Sequence, residues 1–277
     1  AISLNLLAGY TGLISMSHAA FYGIGAYTAA LLALKLNAPF LVNVICVIAI
    51  TGLFGLFVGI LSLRIRDDYF VIATFAFQVI IISTLTNWVS LTGGPMGLSG
   101  IPQPSIFGFK ITTNIAFLVL VFIFALIMIL IAYRIVNSPF GRILKAIREE
   151  EVFAQSLGKN ISSYKVQVFM ISAGMAGVAG ALYAYYISFI DPTSFSVMES
   201  IFILSIVIIG GAGSIWGSIV GAIFMVVLPE ALRFIGLPNS IAANLRQIIY
   251  GVLLVACMLW RPQGLLGEYT FSKEDKK

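Results

Sequence analysis

The chain has 277 residues, of which 60% are hydrophobic and 10% charged, and its mean hydropathy is +1.05. Soluble domains carry about 25% charged and about 45–50% apolar residues, so a water-soluble enzyme, a disordered chain, a collagen-like fibre and a disulfide-stapled module are excluded. The net charge of +5, from 16 Lys and Arg against 11 Asp and Glu, reads as loop charge beside a membrane and not as a nucleic-acid footprint.

The apolar runs are continuous and longer than the ~10-residue alternating segments of an outer-membrane barrel. The fold class is therefore all-α, a polytopic transmembrane helix bundle of about eight or nine spans, some of them broken. A window of about 19 residues places spans at 19–36, 41–63, 69–89, 113–133, 165–187, 198–209, 215–232 and 243–260. Residues 1–8 read as the end of another span. The chain opens at Ala1, without Met and with no basic region before the apolar stretch, which reads as a truncated start and not as a signal peptide.

In chain order, the first irregular stretch is 9–18, where glycines and hydroxyls crowd just before a span. Broken helices with free backbone groups are tolerated in a membrane only where they are buried in protein or line a cavity, and they are commoner in transporters than in anchors. Residues 91–110 (LTGGPMGLSGIPQPSIFGFK) hold too much Gly and Pro for a long helix and form a compact segment outside the membrane. Residues 136–164 form the most highly charged loop. Within it 141–157 (GRILKAIREEEVFAQSL) reads as helical, with Gly158 as C-terminal cap. Its apolar residues do not keep one stripe, so two short helices breaking near 149–151 are expected. The run 198–209 is short for a span and ends in Gly210-Gly211-Ala212-Gly213-Ser214, the mark of an interrupted helix. A loose echo joins 12–26 and 211–222, each a Gly/Ser break followed by a Gly-Ala helix.

Lys and Arg set the orientation. Twelve of the 16 fall in one set of loops: Arg64, Arg66, Arg134, Arg142, Lys145, Arg148, Lys159, Lys165, Arg261, Lys273, Lys276 and Lys277. The opposite set holds Lys35, Lys110, Arg233 and Arg246. The positive-inside rule puts the first set, with the loop 136–164 and the tail 261–277, in the cytoplasm.

Glycines recur every three residues at Gly174, Gly177 and Gly180, and every four at Gly213, Gly217 and Gly221. These spacings let helix backbones approach closely in lipid. Cys46 and Cys257 sit inside apolar runs as packing residues, and no metal-ligand spacing exists.

Much chemistry is missing. Gly97-Leu98-Ser99-Gly100 imitates the nucleophile motif of intramembrane serine proteases, but such a nucleophile needs a base and the single His, His18, lies upstream near the opposite face. Asp67-Asp68 follows Arg64 and Arg66 at a span boundary, where ion pairing and helix N-terminal placement account for it. No Walker loop is present to cradle ATP phosphates. A proton- or sodium-driven carrier needs ionisable groups at mid-membrane, and the spans offer almost none. Glu199 and Glu230 fall at span ends on the outer side, and Gln78 and Asn87 are neutral. The chain has no catalytic residues, no metal site and no cofactor of its own, and energy is expected from a partner.

Several long blocks carry a resemblance. They are NLLAGYTGLISMSHAAFYGIGAYTAALL (5–32), LRIRDDYFVIAT (63–74), LTGGPMGLSGIP (91–102), SPFGRILKAIREEEVFAQSLG (138–158), SYKVQVFMISAGMAGVAGALYAYY (163–186), IVIIGGAGSIWGSIVGA (206–222), LPEALR (228–233) and RPQGLLG (261–267). In this order, over nearly the whole chain, they resemble the LivM-type permease subunits of bacterial ATP-binding-cassette importers for branched-chain amino acids. Members of that family usually have another span upstream.

The resemblance implies one permease domain over residues 1–277, in a bacterial inner membrane. It also implies a heteromeric importer, with a second homologous permease subunit (or a second copy of this chain), two ATPase subunits that bind the ATP, and an extracytoplasmic solute-binding protein. Glu151-x-x-Ala154-x-x-x-Gly158 is similar to the loop motif by which importer permeases dock on their ATPases. Arg148 and Glu149 belong to the same candidate coupling surface. The usual continuation, Ile-x-Leu-Pro, is absent, and Val168-Phe169-Met170-Ile171 stands near its place. A helix resting on the lipid interface is the other reading of this loop, and the acidic run 149–151 sits poorly against anionic headgroups. Ser15, Ser17, His18, Gly93, Gly94, Gly210, Gly211 and Ser214 are the pathway candidates, where free N–H groups of broken helices would meet a carboxylate. A packing-only role is the alternative for each. A urea or short-amide importer and a stand-alone channel are the rival functions.

Overall fold

The computed structural model describes residues 1–62, 67–106, 109–156, 158–233, 239–261 and 263–267. Its helices are α1 (Ile2–Thr11), α2 (His18–Leu36), α3 (Phe40–Ser62), α4 (Asp67–Asn87), α5 (Val89–Thr92), α6 (Asn114–Asn137), α7 (Pro139–Glu149), α8 (Glu151–Ser156), α9 (Ile161–Ile187), α10 (Val197–Gly210), α11 (Ile215–Arg233) and α12 (Asn239–Trp260). Every span expected from hydropathy is a helix, and the ends shift by a few residues. Among the described residues six stretches are long and apolar enough to cross a membrane, while α11 and α12 carry the shorter apolar runs Ile215–Leu228 and Ile248–Cys257.

The centre of the bundle is α2, α3 and α9. Their small residues let backbones touch, as the glycine spacing implies. A Cβ on Gly180 would lie 1.9 Å from the Tyr22 carbonyl oxygen, and one on Gly25 would lie 2.2 Å from that of Gly177. No side chain fits at either position, so α2 and α9 meet along a glycine seam. Phe21, Phe40, Phe70 and Phe169 fill the space beside it, all fully buried and in edge-on or tilted ring contacts. In contrast α6 turns Ile115, Leu118, Phe122 and Leu130 outward, each more than half exposed. Apolar side chains on an outer face of this size belong in lipid and not in water.

Turn chemistry ends the spans. Asn37 takes the left-handed conformation (φ 47°) after α2, and Pro39 precedes α3. The segment 91–110 is compact, as expected. Within it Leu98–Ser99 (β1) pairs antiparallel with Phe189–Ile190 (β4), with Leu98 opposite Ile190, and Ser105–Ile106 (β2) pairs with Phe109–Lys110 (β3). This ties 91–110 to the junction after α9 at one end of the bundle. α7, α8, the end of α1 and the residues after α12 gather at the other.

The charged loop holds two short helices, as the broken stripe predicted. Glu150 is extended (φ −157°, ψ 106°) between α7 and α8, and Gly158 takes φ 73°. The helix starts earlier than expected, at Pro139. Ser138 caps it by accepting from the Gly141 N–H, and proline suits the first turn, where no N–H is needed. Val168 and Phe169, near the place of the missing docking motif, are buried within α9. Arg64 and Arg66, Leu157 and the tail 268–277 lie outside the described residues, as do the side chains of Asp67, Asp68 and Glu230.

Candidate functional site

The first interruption runs from Gly12 to Ser17. Gly12 closes α1 at φ 76°, and helix resumes at His18. The Ser15 and Ser17 hydroxyls lie 2.8 Å apart, and the Met16 N–H donates to Thr74 Oγ1 at 3.1 Å. His18 Nε2 lies 2.9 Å from Ser172 Oγ, and Ser172 donates its hydroxyl to the Ser3 carbonyl at 2.5 Å. A hydroxyl has one proton to give, so Nε2 carries the hydrogen and donates to Ser172. Nδ1 has no partner among the described residues.

The first turn of α2 is also occupied. The Ala19 N–H donates to Ser200 Oγ at 3.0 Å and the Ala20 N–H to Gln78 Oε1 at 2.5 Å, while Gln78 Nε2 donates to the Phe195 carbonyl at 2.7 Å. The Phe21 N–H returns to the Ser17 carbonyl. Two N–H groups in the first turn of α2, just past the sequence candidates Ser15, Ser17 and His18, are thus spent on Gln78 and Ser200. Both side chains are fully buried, and Gln78 and Ser172 stand near the middle of α4 and α9. Thr74, Gln78, Ser172 and Ser200 were not candidates from sequence. Their signal was a lone polar residue inside an apolar span, which is costly unless it has a partner.

The second interruption, 211–214, parts α10 from α11. Gly211 stands at φ 114°, ψ 113°, and Gly213 at φ 80°. Asn5 grips this turn from α1. Its Oδ1 accepts from the Gly213 N–H at 2.9 Å, and its Nδ2 donates to the Ser214 carbonyl at 2.8 Å. The Ser214 hydroxyl accepts from the Gly217 N–H. The chain after α12 closes the other side, where the Leu265 and Leu266 N–H groups donate to the carbonyls of Ile209 and Gly210 at 2.9 and 3.0 Å. These are carbonyls that α10 itself leaves unpaired at its end.

The α7–α8 unit touches both interruptions through α1. Arg148 Nη1 donates to the Gly9 carbonyl at 2.7 Å, and the same guanidinium pairs with Glu149 at 2.8 Å. Lys145 Nζ stands 5.6 Å from the Tyr10 ring centre. Two cations therefore face the C-terminal end of α1, the end whose partial charge is negative. Glu151 pairs with Lys165 on α9 at 2.7 Å, and Ala154 is buried beside Ile147 and Ile161. Gly93 and Gly94 do not join the other candidates. They take positive φ at the opposite end, beyond α5, where the Thr92 hydroxyl accepts from the Gly94 N–H.

An open cavity of about 990 Å³ runs between α6, α9, α10 and α11 and reaches His18; its lining is largely apolar and includes the outward Leu118 and Phe122, with His18, Tyr22, Ser3 and Glu199 among its polar groups. Glu199 is in the first turn of α10 and half-buried. The sequence puts Glu199 at a span end, where it stands; the structure adds that it shares this cavity with His18, because α10 starts against α2. Among the described residues no group of His, Cys, Asp or Glu could hold a metal ion.

A helix bundle with an outward apolar belt, two interrupted helices and a charged cap at one end is a multi-pass membrane protein of the transporter kind. Residues 1–258 match the model of the family described as the branched-chain amino acid transport system, permease component, and the chain belongs to that family. It is 34% identical to the high-affinity branched-chain amino acid transport system permease protein LivM of Salmonella typhimurium and 35% identical to that of Escherichia coli, in both over 96% of this chain and 66% of the relative. The permease protein LivH of Escherichia coli is 28% identical over 96% of this chain and 90% of its own length. The chain thus spans just under two thirds of the length of the LivM relatives. No solved structure matches.

Proposed function

We propose that the chain is the membrane-spanning permease subunit of an ATP-binding-cassette importer that carries branched-chain amino acids (Leu, Ile and Val) across a bacterial inner membrane. The family match over residues 1–258 carries this reading. In the assembly a second homologous permease subunit pairs with this one, in keeping with the likeness to both LivM and LivH. Two ATPase subunits bind the α7–α8 face and hydrolyse ATP, so this chain needs no cofactor. An extracytoplasmic binding protein delivers solute at the opposite end, beside the segment 91–110. The α7–α8 end and the C-terminus face the cytoplasm, which the loop cations support.

Mechanistically, ATP binding moves α7–α8, and the bundle rocks so that the path opens to one side at a time. The two interruptions are the joints. The hydrogen bonds that hold them in this conformation are exchanged for others during transport, so Ser15, Ser17, His18, Gly210, Gly211 and Ser214 stand at moving contacts.

Uptake of labelled leucine by proteoliposomes holding the complete complex, binding protein and ATP tests the reading. Competition by Ile and Val and no uptake without the ATPases support it. Uptake of urea in place of amino acids would move the solute assignment to short amides, and uptake that survives loss of the ATPases would make the chain a facilitator. Cysteine labelling tests the orientation: Ser99→Cys should react from outside and Ser156→Cys from the cytoplasm. Reaction of both from one side would overturn it.

A further inference from the structure

We infer that Asn5 is a positioning residue through which movement of the α7–α8 loop reaches the 211–214 interruption. The inference rests on the permease reading above and adds to it the route by which one end of the machine acts on a joint.

α1 is ten residues long and lies between the two parts. Asn5 and Gly9 are four apart, on one face of the helix. At Gly9 the helix is held by the loop: Arg148 Nη1 donates to the Gly9 carbonyl at 2.7 Å. That carbonyl belongs to the last turn of α1, whose oxygens have no partner within the helix, so the bond to Arg148 costs no helical bond. On the same face the Gly9 Cα presses on the interruption, since a Cβ there would stand 2.3 Å from the Gly213 nitrogen. One turn earlier Asn5 holds two consecutive residues of the interruption with one amide, at 2.9 Å to Gly213 and 2.8 Å to Ser214.

The grip is bidentate and fully buried, with Asn5 1% exposed. An amide in an apolar bundle costs free energy unless both its ends are paired, and here both ends go to the interruption. Leu4 and Ala8, on either side of it, are fully buried against Val207 and Ala212. A displacement of α7 therefore moves α1 through Arg148, and α1 cannot move without carrying Gly213 and Ser214. The path runs through backbone atoms at both ends, so it transmits position and does not depend on the side chains of the turn.

The test uses the complete complex in proteoliposomes, with spin labels at Ser156→Cys on α8 and Trp216→Cys on α11, both exposed positions, and with Cys46 and Cys257 replaced by Ser. ATP should change the label distance in the otherwise unaltered chain. Asn5→Leu, which keeps the volume and loses both hydrogen bonds, should remove most of that change and lower uptake per ATP hydrolysed about tenfold, within the ~5- to 150-fold range of coupling between linked sites. Arg148→Gln should do the same from the other end. The double variant should be no worse than the more severe single one, because both break one path.

An unaltered distance change in Asn5→Leu, with uptake per ATP as in the parent, overturns the relay, as does a double variant whose losses multiply. If Asn5→Leu does not assemble, Asn5→Ala takes its place: a retained distance change overturns the proposal, and a lost one in complexes that still hydrolyse ATP supports it. A distance change in the parent without uptake of Leu, Ile or Val would sink the solute assignment and leave the relay standing.

Discussion

At 12–17 the backbone groups released by the missing helical turn are taken up by side chains from other helices: Thr74 and Gln78 on α4, and Ser200 on α10. At 211–214 backbone meets backbone. Gly211 lies against Gly264 and Gly267, α10 gives its last carbonyls to Leu265 and Leu266, and a single side chain, Asn5, reaches in from α1. The first joint is held by polar side chains; at the second, glycine backbones touch. A joint made of side-chain bonds can trade partners one bond at a time, whereas one made of touching glycines must open as a unit. The two should therefore respond to opposite kinds of substitution, steric at 211–214 and polar at 12–17.

The largest effect is expected from Gly211→Val. The residue stands at φ 114°, where a branched side chain is strained, and its Cβ would lie 2.2 Å from the Gly267 nitrogen. Strain of about 1–3 kcal/mol adds to overpacking of about 1–3 kcal/mol. Uptake should vanish while the spans, whose apolar length is unchanged, still insert. Transport per assembled complex is the measurement. A value per complex equal to the parent, with fewer complexes, would make this glycine a packing residue only and would erase the contrast between the joints.

Next comes Gln78→Leu, a polar change that adds no bulk. It leaves the Ala20 N–H and the Phe195 carbonyl without partners in a dry interior, at about 1–3 kcal/mol each. Thermal unfolding of the detergent-solubilised subunit should shift down clearly, more than for Ser15→Ala, which loses a bond only within the turn. Equal shifts for the two would mean that Gln78 does not organise the first joint. Of intermediate size is Glu151→Lys, which breaks the pair with Lys165. It should reduce substrate-stimulated ATP hydrolysis without preventing insertion, and normal coupling would remove α8 from the mechanism.

The spans, the interruptions and the break within the charged loop were legible because each has a local cause. Apolar runs must be helical in lipid, glycine clusters end them, and an apolar stripe that loses phase at 149–151 marks two helices. The partners of the interruptions were not legible. Asn5 and Gly213 are 208 residues apart, and His18 and Ser172 are 154 apart. Nothing local distinguishes Asn5 from a tolerated polar residue near a span end, and nothing in the sequence says that Gln78 takes the Ala20 N–H in the first turn of α2. The neighbour of Glu199 was not legible for the same reason: hydropathy gives a residue its depth along a span and says nothing of which helix starts beside it.

Asp191 offers the smallest effect and a control at the far end of the bundle. It precedes the short turn Pro192–Phe195 that leads into α10. Burial alone would raise its carboxyl, but hydrogen bonds from the Ser194 and Thr193 hydroxyls outweigh this and hold it below the ordinary carboxylate range. A carboxyl lowered on folding stabilises above its unfolded value, about 3.9. The contribution is lost as pH falls through the lower folded value. Asp191→Asn should therefore cost about 1 kcal/mol or less at neutral pH and abolish a share of the loss in stability seen in acid. Because Asp191 touches neither joint, uptake per complex should match the parent at pH 7. A fall comparable to that of Gly211→Val would show that the start of α10 and its end move together, and the two interruptions would then have to be treated as one.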